Sequence, residues 1–197
     1  MSAIYQGYRT VIALVGKTAA GKSTVAEILK HRYGFEWIRT RDIIRVIAGR
    51  RDRPNESLQQ VGLRVMDDDG AARFSAAVSE VLSPERPAVI DAIRPWSHYH
   101  ALCATPERSV KLVAVSADID TRRIRFEARP EGQSFELRED APVEAEVPSL
   151  VESACYTICN VPPLPLEYRI ATMLALVMWD EPLPSVRELH RVLGRVS

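Results

Sequence analysis

Short apolar runs alternate with stretches of helical spacing along most of the chain. Val11-Ile12-Ala13-Leu14-Val15 is continuously apolar, as expected of a strand buried on both faces. Val25, Ile28, Leu29 and Tyr33 then recur at helical spacing, and Gly34 is placed to end that helix as a C-cap. Phe35 to Ile38 alternates as a short strand, and Thr40 is the expected N-cap of a helix carrying Asp42, Ile43, Ile44, Arg45, Val46 and Ile47. From Glu56 to Leu82 the apolar positions predict two helices broken near Asp67-Asp68-Asp69-Gly70. Pro87 to Asp91 and Val110 to Val115 are further buried strands, followed by helices over Trp96 to Leu102 and Ile119 to Arg129. A last strand covers Cys155 to Asn160, a largely apolar helix Leu164 to Trp179, and a short terminal helix Val186 to Leu193. Strands alternating with helices predict a three-layer α/β domain with a five-stranded parallel sheet and right-handed crossovers. No repeat or linker divides it, so residues 1–197 read as one domain.

The first strand runs straight into Gly16-Lys17-Thr18-Ala19-Ala20-Gly21-Lys22-Ser23-Thr24. This spacing is a P-loop, in which backbone N–H groups curl around a polyphosphate and glycine permits the dihedrals and close approach that the curl requires. Lys22 would bring a cation to the β- and γ-phosphates and Ser23 a hydroxyl to Mg2+. The helix beginning there aims its positive dipole end at the same anion. The buried strand before and the amphipathic helix after supply the context that the motif requires.

Composition adds limits. Lysine plus arginine and aspartate plus glutamate both number 26, so no global field recruits nucleic acid or an anionic membrane, and a phosphate site must be a local cluster. Cys103, Cys155 and Cys159 lack metal-ligand and CxxC spacing and read as buried thiols in a reducing, cytoplasmic setting. No run approaches the roughly twenty apolar residues of a membrane span. Asp91 ends its strand where a parallel sheet places functional side chains, beside the P-loop and positioned for Mg2+ or its water shell, with Arg94 just beyond. Asp42 and Arg45 lie one turn apart, which also fits a plain surface ion pair. The triple aspartate reads as a solvated acidic turn rather than a metal site, and Arg50, Arg51 and Arg53 as a solvated turn. Residues 130 to 147, polar and with few apolar anchors, form a candidate mobile lid.

Taken together, residues 10 to 178 resemble the nucleoside monophosphate kinase branch of P-loop kinases, which includes adenylate kinases, phage-type deoxynucleotide monophosphate kinases and dephospho-CoA kinases. Ile38-Arg39-Thr40-Arg41-Asp42-Ile43-Ile44-Arg45 is similar to the family segment in which a Thr, an Asp and an Arg face the acceptor. Val89-Ile90-Asp91-Ala92-Ile93-Arg94 is similar to its Asp-Gly-Ile-Arg pattern, with Ala92 in place of the glycine. The resemblance implies that Arg45 and Arg94 grip the acceptor phosphate, with Thr40 and Asp42 beside them. Arg125 would cover the ATP base, and Arg129 would touch the phosphate being transferred. Gln59 and Arg64 fall in the region, about 40–82, that closes over the acceptor; Ala19, Ala20 and Thr24 complete the phosphate loop. Tyr156 to Asn160 resembles the last strand of dephospho-CoA kinases.

The resemblance thus implies ATP and Mg2+ as cofactors, a small-molecule nucleotide as acceptor, and a monomer or homodimer. A nucleoside monophosphate acceptor is expected because a phosphate needs paired cations; dephospho-CoA is the alternative, in which Asp42 would accept a hydroxyl proton. A GTPase switch is disfavoured: Asp91-Ala92-Ile93-Arg94 lacks the switch glycine and no Asn-Lys-x-Asp segment occurs. A non-catalytic nucleotide-binding module would keep the P-loop without these arginines.

Overall fold

The computed structural model describes residues 10–49, 68–84, 86–105, 108–129 and 134–178. The expected helix within 56–66, Gln59, Arg64, the arginine turn at 50–53, residues 130–133 of the expected lid and the terminal helix at 186–193 lie outside the described residues. Five parallel strands form one sheet in the order β2-β3-β1-β4-β5, with β1 at Thr10–Val15, β2 at Glu36–Arg39, β3 at Ala88–Asp91, β4 at Ser109–Ser116 and β5 at Tyr156–Cys159. The connecting helices are α1 (Lys22–Tyr33), α2 (Thr40–Gly49), α3 (Asp68–Val81), α4 (Trp96–Cys103), α5 (Ile119–Glu127), α6 (Phe135–Glu139), α7 (Val147–Glu152) and α8 (Leu166–Val177), with a 3-10 turn at Pro142–Glu144.

The continuous apolar runs are explained by two cores, one on each face of the sheet. Val11, Ala13 and Val15 of β1 face Ile43, Phe74, Val78, Leu102 and Leu150 from α2, α3, α4 and α7. Ile12 and Leu14 of the same strand face Val25, Leu29, Ile170 and Met173 from α1 and α8. Alternate side chains of one strand therefore bury in opposite directions, and no position from Val11 to Val15 can be polar without cost. Register aligns the carboxyl ends of three strands: Leu14 lies opposite Asp91, and Asp91 opposite Arg39. The crevice at these ends, where the chain turns to opposite sides of β1, is where an open α/β sheet binds ligands.

Several local expectations change. Gly34 caps α1 in the left-handed region at φ 74° as expected. Thr40, however, is itself helical and its buried hydroxyl has no hydrogen-bond partner among the described residues, so it does not cap α2. Asp69 and Gly70 sit in the first turn of α3 rather than in a break, where carboxylates favour the helix dipole, and Asp69 pairs with Arg73 at 3.0 Å. The three cysteines are exposed, not buried. Cys155 and Cys159 flank and end the edge strand β5, and Cys103 ends α4, so none reaches the two cores. No helix among the described residues is long and apolar enough to cross a membrane.

Candidate active site

β1 delivers the chain into the phosphate loop with its backbone already committed. Gly16 has φ +144°, and a Cβ there would meet the Val115 carbonyl oxygen at 2.2 Å. Gly21 has φ +101°, and a Cβ there would meet the Asn160 side-chain amide at 2.0 Å. Both glycines are thus required by dihedral and by space. Asn160 holds the loop from behind, donating from Nδ2 to the Ala20 carbonyl at 2.9 Å, while its own carbonyl accepts from Arg125 Nη2 at 3.0 Å. Gly21 offers α1 no side-chain cap, so the first amides of the helix stay available to an anion.

Lys22 folds back over this loop, its Nζ donating to the carbonyls of Gly16 at 2.5 Å and Lys17 at 2.8 Å. Burial depresses its pKa to about 8, with the Arg94 and Arg129 charges pushing the same way and Glu144 and Asp91 opposing them. A polyphosphate would supply the anionic partner that this ammonium lacks. Ser23 Oγ donates to Asp91 Oδ2 at 2.7 Å, joining the two residues expected at the metal. One hydroxyl and one carboxylate fit Mg2+, which usually takes one or two protein oxygens and completes its octahedron with water and substrate phosphates. Among the described residues no cluster of three or more His, Cys, Asp or Glu forms a self-sufficient metal cage.

A cavity of about 420 Å³ opens from the loop. Ala19, Gly21, Lys22, Ser23 and Thr24 form one wall, and the candidate residues Thr40, Arg45, Asp91, Arg94 and Arg129 also line it. Gly16 and Ala20 shape the loop from behind instead of lining this space, and Arg125 sits against Asn160 at the end of β5. Asp42 does not line the cavity. It is half exposed and accepts from Arg45 Nη1 at 2.9 Å, so it reaches the site only through that arginine.

Arg39, Arg41, Arg138 and His98 line the cavity as well, and the sequence reading assigned them no role. Arg39 is the last residue of β2, with its guanidinium 4.1 Å from the Trp37 ring centroid. The same strand-end rule that marked Asp91 applies to it. His98 stacks on Phe74 at 4.2 Å and nearly parallel, on the core side of α4. Among the described residues the lining therefore carries seven cationic side chains and a single carboxylate, Asp91.

The wall formed by residues 134–147 is the largest departure from expectation. The sequence reading found few apolar anchors there, yet Phe135, Ala141, Val143 and Val147 are all buried. Phe135 meets Phe126 edge to face at 5.7 Å and closes a small cluster with Ala19 of the phosphate loop. Glu139 pairs with Arg122 at 2.7 Å and with Lys17 at 3.5 Å, and Arg123 pairs with Glu136. Glu144, only 2% exposed, accepts from Arg94 Nε at 2.7 Å and from Thr18 Oγ1 at 3.4 Å.

This is the fold of the small-molecule P-loop kinases. A shikimate kinase from Acinetobacter baumannii superposes with a TM-score of 0.58 at 17% identity, covering 91% of this chain and 98% of its own. A gluconokinase from Sinorhizobium meliloti gives 0.54 at 15%, with 89% and 99% covered. A sugar kinase from a Janibacter species gives 0.52 at 16%, with 86% and 94% covered. No family model matches the sequence, and no curated protein matches it.

Proposed function

We propose that the chain is an ATP-dependent phosphotransferase that moves the γ-phosphoryl group to a small phosphate-bearing acceptor, a (deoxy)nucleoside monophosphate. One observation carries this reading: among the described residues seven cations and one carboxylate surround the open end of a P-loop, in a chain whose net charge is zero. Transfer between two anions needs concentrated positive charge around the moving group and little covalent chemistry from the protein.

In this reading the loop amides and Lys22 hold the donor phosphates, and Arg125, held beside Asn160, lies on the side of the base. Ser23 and Asp91 would hold Mg2+, which would supply positive charge to the donor phosphates. Arg129 would face the phosphoryl group in flight, while Arg94 and Arg45 would grip the acceptor phosphate and Thr40 offers its hydroxyl. Gln59 and Arg64 remain proposed acceptor contacts.

A second reading, a hydroxyl acceptor, is favoured by the neighbours, which are named for shikimate, gluconate and sugar. Dephospho-CoA is the corresponding nucleotide-like acceptor. Against it stand the placement of Asp42 outside the cavity and the engagement of Asp91 with Ser23, which leave no spare lining carboxylate among the described residues to take a hydroxyl proton. The test is a panel measuring ADP formation with nucleoside monophosphates, dephospho-CoA, shikimate and gluconate. Turnover is expected with a nucleoside monophosphate. Turnover confined to a hydroxyl acceptor would replace the acceptor class, and none with any compound would remove the reaction.

A further inference from the structure

Glu144 is a carboxylate with almost no contact with water, carried on the 3-10 turn between two apolar residues of its own segment, Val143 and Val147, that are themselves buried. As a stabilising device it is a poor choice. A buried ion pair rarely repays the desolvation of both charges, and a well-packed apolar side chain of similar volume commonly does as well or better. The second oxygen, Oε2, is also buried without a hydrogen-bond partner among the described residues, which raises the cost further. A group kept on such terms is accounted for by what it holds in place.

Its two partners come from different elements that line the cavity and meet at one carboxylate oxygen, Oε1. Thr18 belongs to the phosphate loop and Arg94 follows β3, and both line the space that Glu144 itself does not reach. The bond to Arg94 is made at Nε, on the stem side of the guanidinium. That leaves the two terminal amino groups, the fork that matches a phosphate, for the cavity. Arginine has several rotatable bonds, and fixing its Nε before substrate arrives removes much of the ordering cost of gripping an anion. The charge of Glu144 also offsets part of the repulsion between Arg94 and Lys22, which approach closely enough for Arg94 to depress the lysine pKa.

We infer that Glu144 is a positioning residue that fixes Nε of Arg94 and so aims its fork into the acceptor side of the cavity. The inference rests on the phosphotransfer reading. It assigns to the segment after α6 a part in the reaction without contact with either substrate.

The experiment is a double-mutant cycle on full-length protein with the panel acceptor that the wild type uses, reading kcat and both KM values for wild type, Glu144→Gln, Glu144→Asp, Arg94→Ala and the Glu144→Gln/Arg94→Ala pair. Glu144→Gln should lower kcat/KM for the acceptor by about 10- to 100-fold, the scale on which outer partners of ligating side chains act. KM for ATP should stay unchanged, and Glu144→Asp should recover part of the loss. In the Arg94→Ala background the glutamine should add almost nothing, because the residue through which Glu144 acts is gone. A merely structural carboxylate would instead add its full loss in both backgrounds and weaken ATP as well, and that result overturns the inference. If Glu144→Gln does not fold, Glu144→Asp against Arg94→Ala carries the same cycle. Wild-type turnover with an unaffected Glu144→Gln would sink the positioning role alone. Absence of wild-type turnover with every acceptor would remove the reaction and the role together.

Discussion

The phosphate loop at 16–24 and the segment at 134–147 wall the same cavity, yet they are encoded in opposite ways. The loop acts through its main chain. Its geometry follows from two glycines that permit positive φ and from the helix that starts at Lys22, all within nine consecutive residues. The other wall acts through side chains paired over long distances: Glu144 reaches Thr18 across 126 positions and Arg94 across 50. A main-chain cradle leaves a spacing signature; a wall made of tertiary ion pairs leaves only unremarkable glutamates and arginines in a polar stretch.

The largest effect should come from the loop. Lys22→Ala should reduce phosphoryl transfer by on the order of 10³-fold, the upper range for removing one preorganised charged donor. The fold should persist, because this lysine bonds only to loop carbonyls and its burial opposes its charge. A pH signature distinguishes that variant from the wild type. With a folded pKa of about 8 against an ordinary value of 10.5, wild-type Lys22 binds more protons when unfolded. Wild-type stability should therefore rise relative to the variant as pH goes from about 8 to 10.5, read as the difference in denaturation midpoints. Retained turnover in a folded Lys22→Ala protein would undo the loop assignment.

The opposite wall should respond in stability. Phe135 is buried against Phe126 and Ala19, and the guanidinium groups of Arg122 and Arg123 lie 5.5 and 5.1 Å from its ring centroid. Phe135→Ala should cost about 3 kcal/mol, the low end for a buried phenylalanine because this cluster is small. Turnover should fall with it, since Arg138 and Glu139 ride on the same short helix. A midpoint in denaturant within error of the wild type would mean that this wall is not anchored as described.

What the sequence made legible follows the same division. The order of strands and helices was readable because β1 and β3 are buried on both faces and so are apolar without interruption. The pairing of Ser23 with Asp91 was reachable too, since one rule places strand ends beside the loop. That rule also covers Arg39, the last residue of β2, which lines the cavity. Thr40 was misread as a cap because its chemistry suits one, and only the structure turns its hydroxyl into an unpaired buried group at the cavity. The anchors of 134–147 escaped notice because Phe135, Val143 and Val147 are too widely and irregularly spaced to form a period. Glu144 had no local signal at all.

The smallest effect belongs to the exposed rim. Arg45 is 61% exposed on its side chain and held by Asp42 at 2.9 Å, an i,i+3 pair of the kind that contributes little to stability. Arg45→Ala should leave the denaturation midpoint unchanged while raising the acceptor KM about 10-fold, as for a charge-assisted contact removed from a solvated edge. Asp42→Asn should do less, because the amide still accepts from the guanidinium, and its effect should vanish in the Arg45→Ala background. The ratio of variant to wild-type rate should also be nearly independent of pH, since a phosphate acceptor loses its proton to water and asks no base of the protein. A hydroxyl acceptor makes the opposite demand. If Asp42 takes its proton, Asp42→Asn should lose turnover steeply, and the acid limb of the wild-type pH–rate profile should carry a carboxylate pKa that the variant lacks. Closure over a bound acceptor would then have to bring Asp42 into the cavity, and the phosphate-acceptor reading would give way to the hydroxyl one.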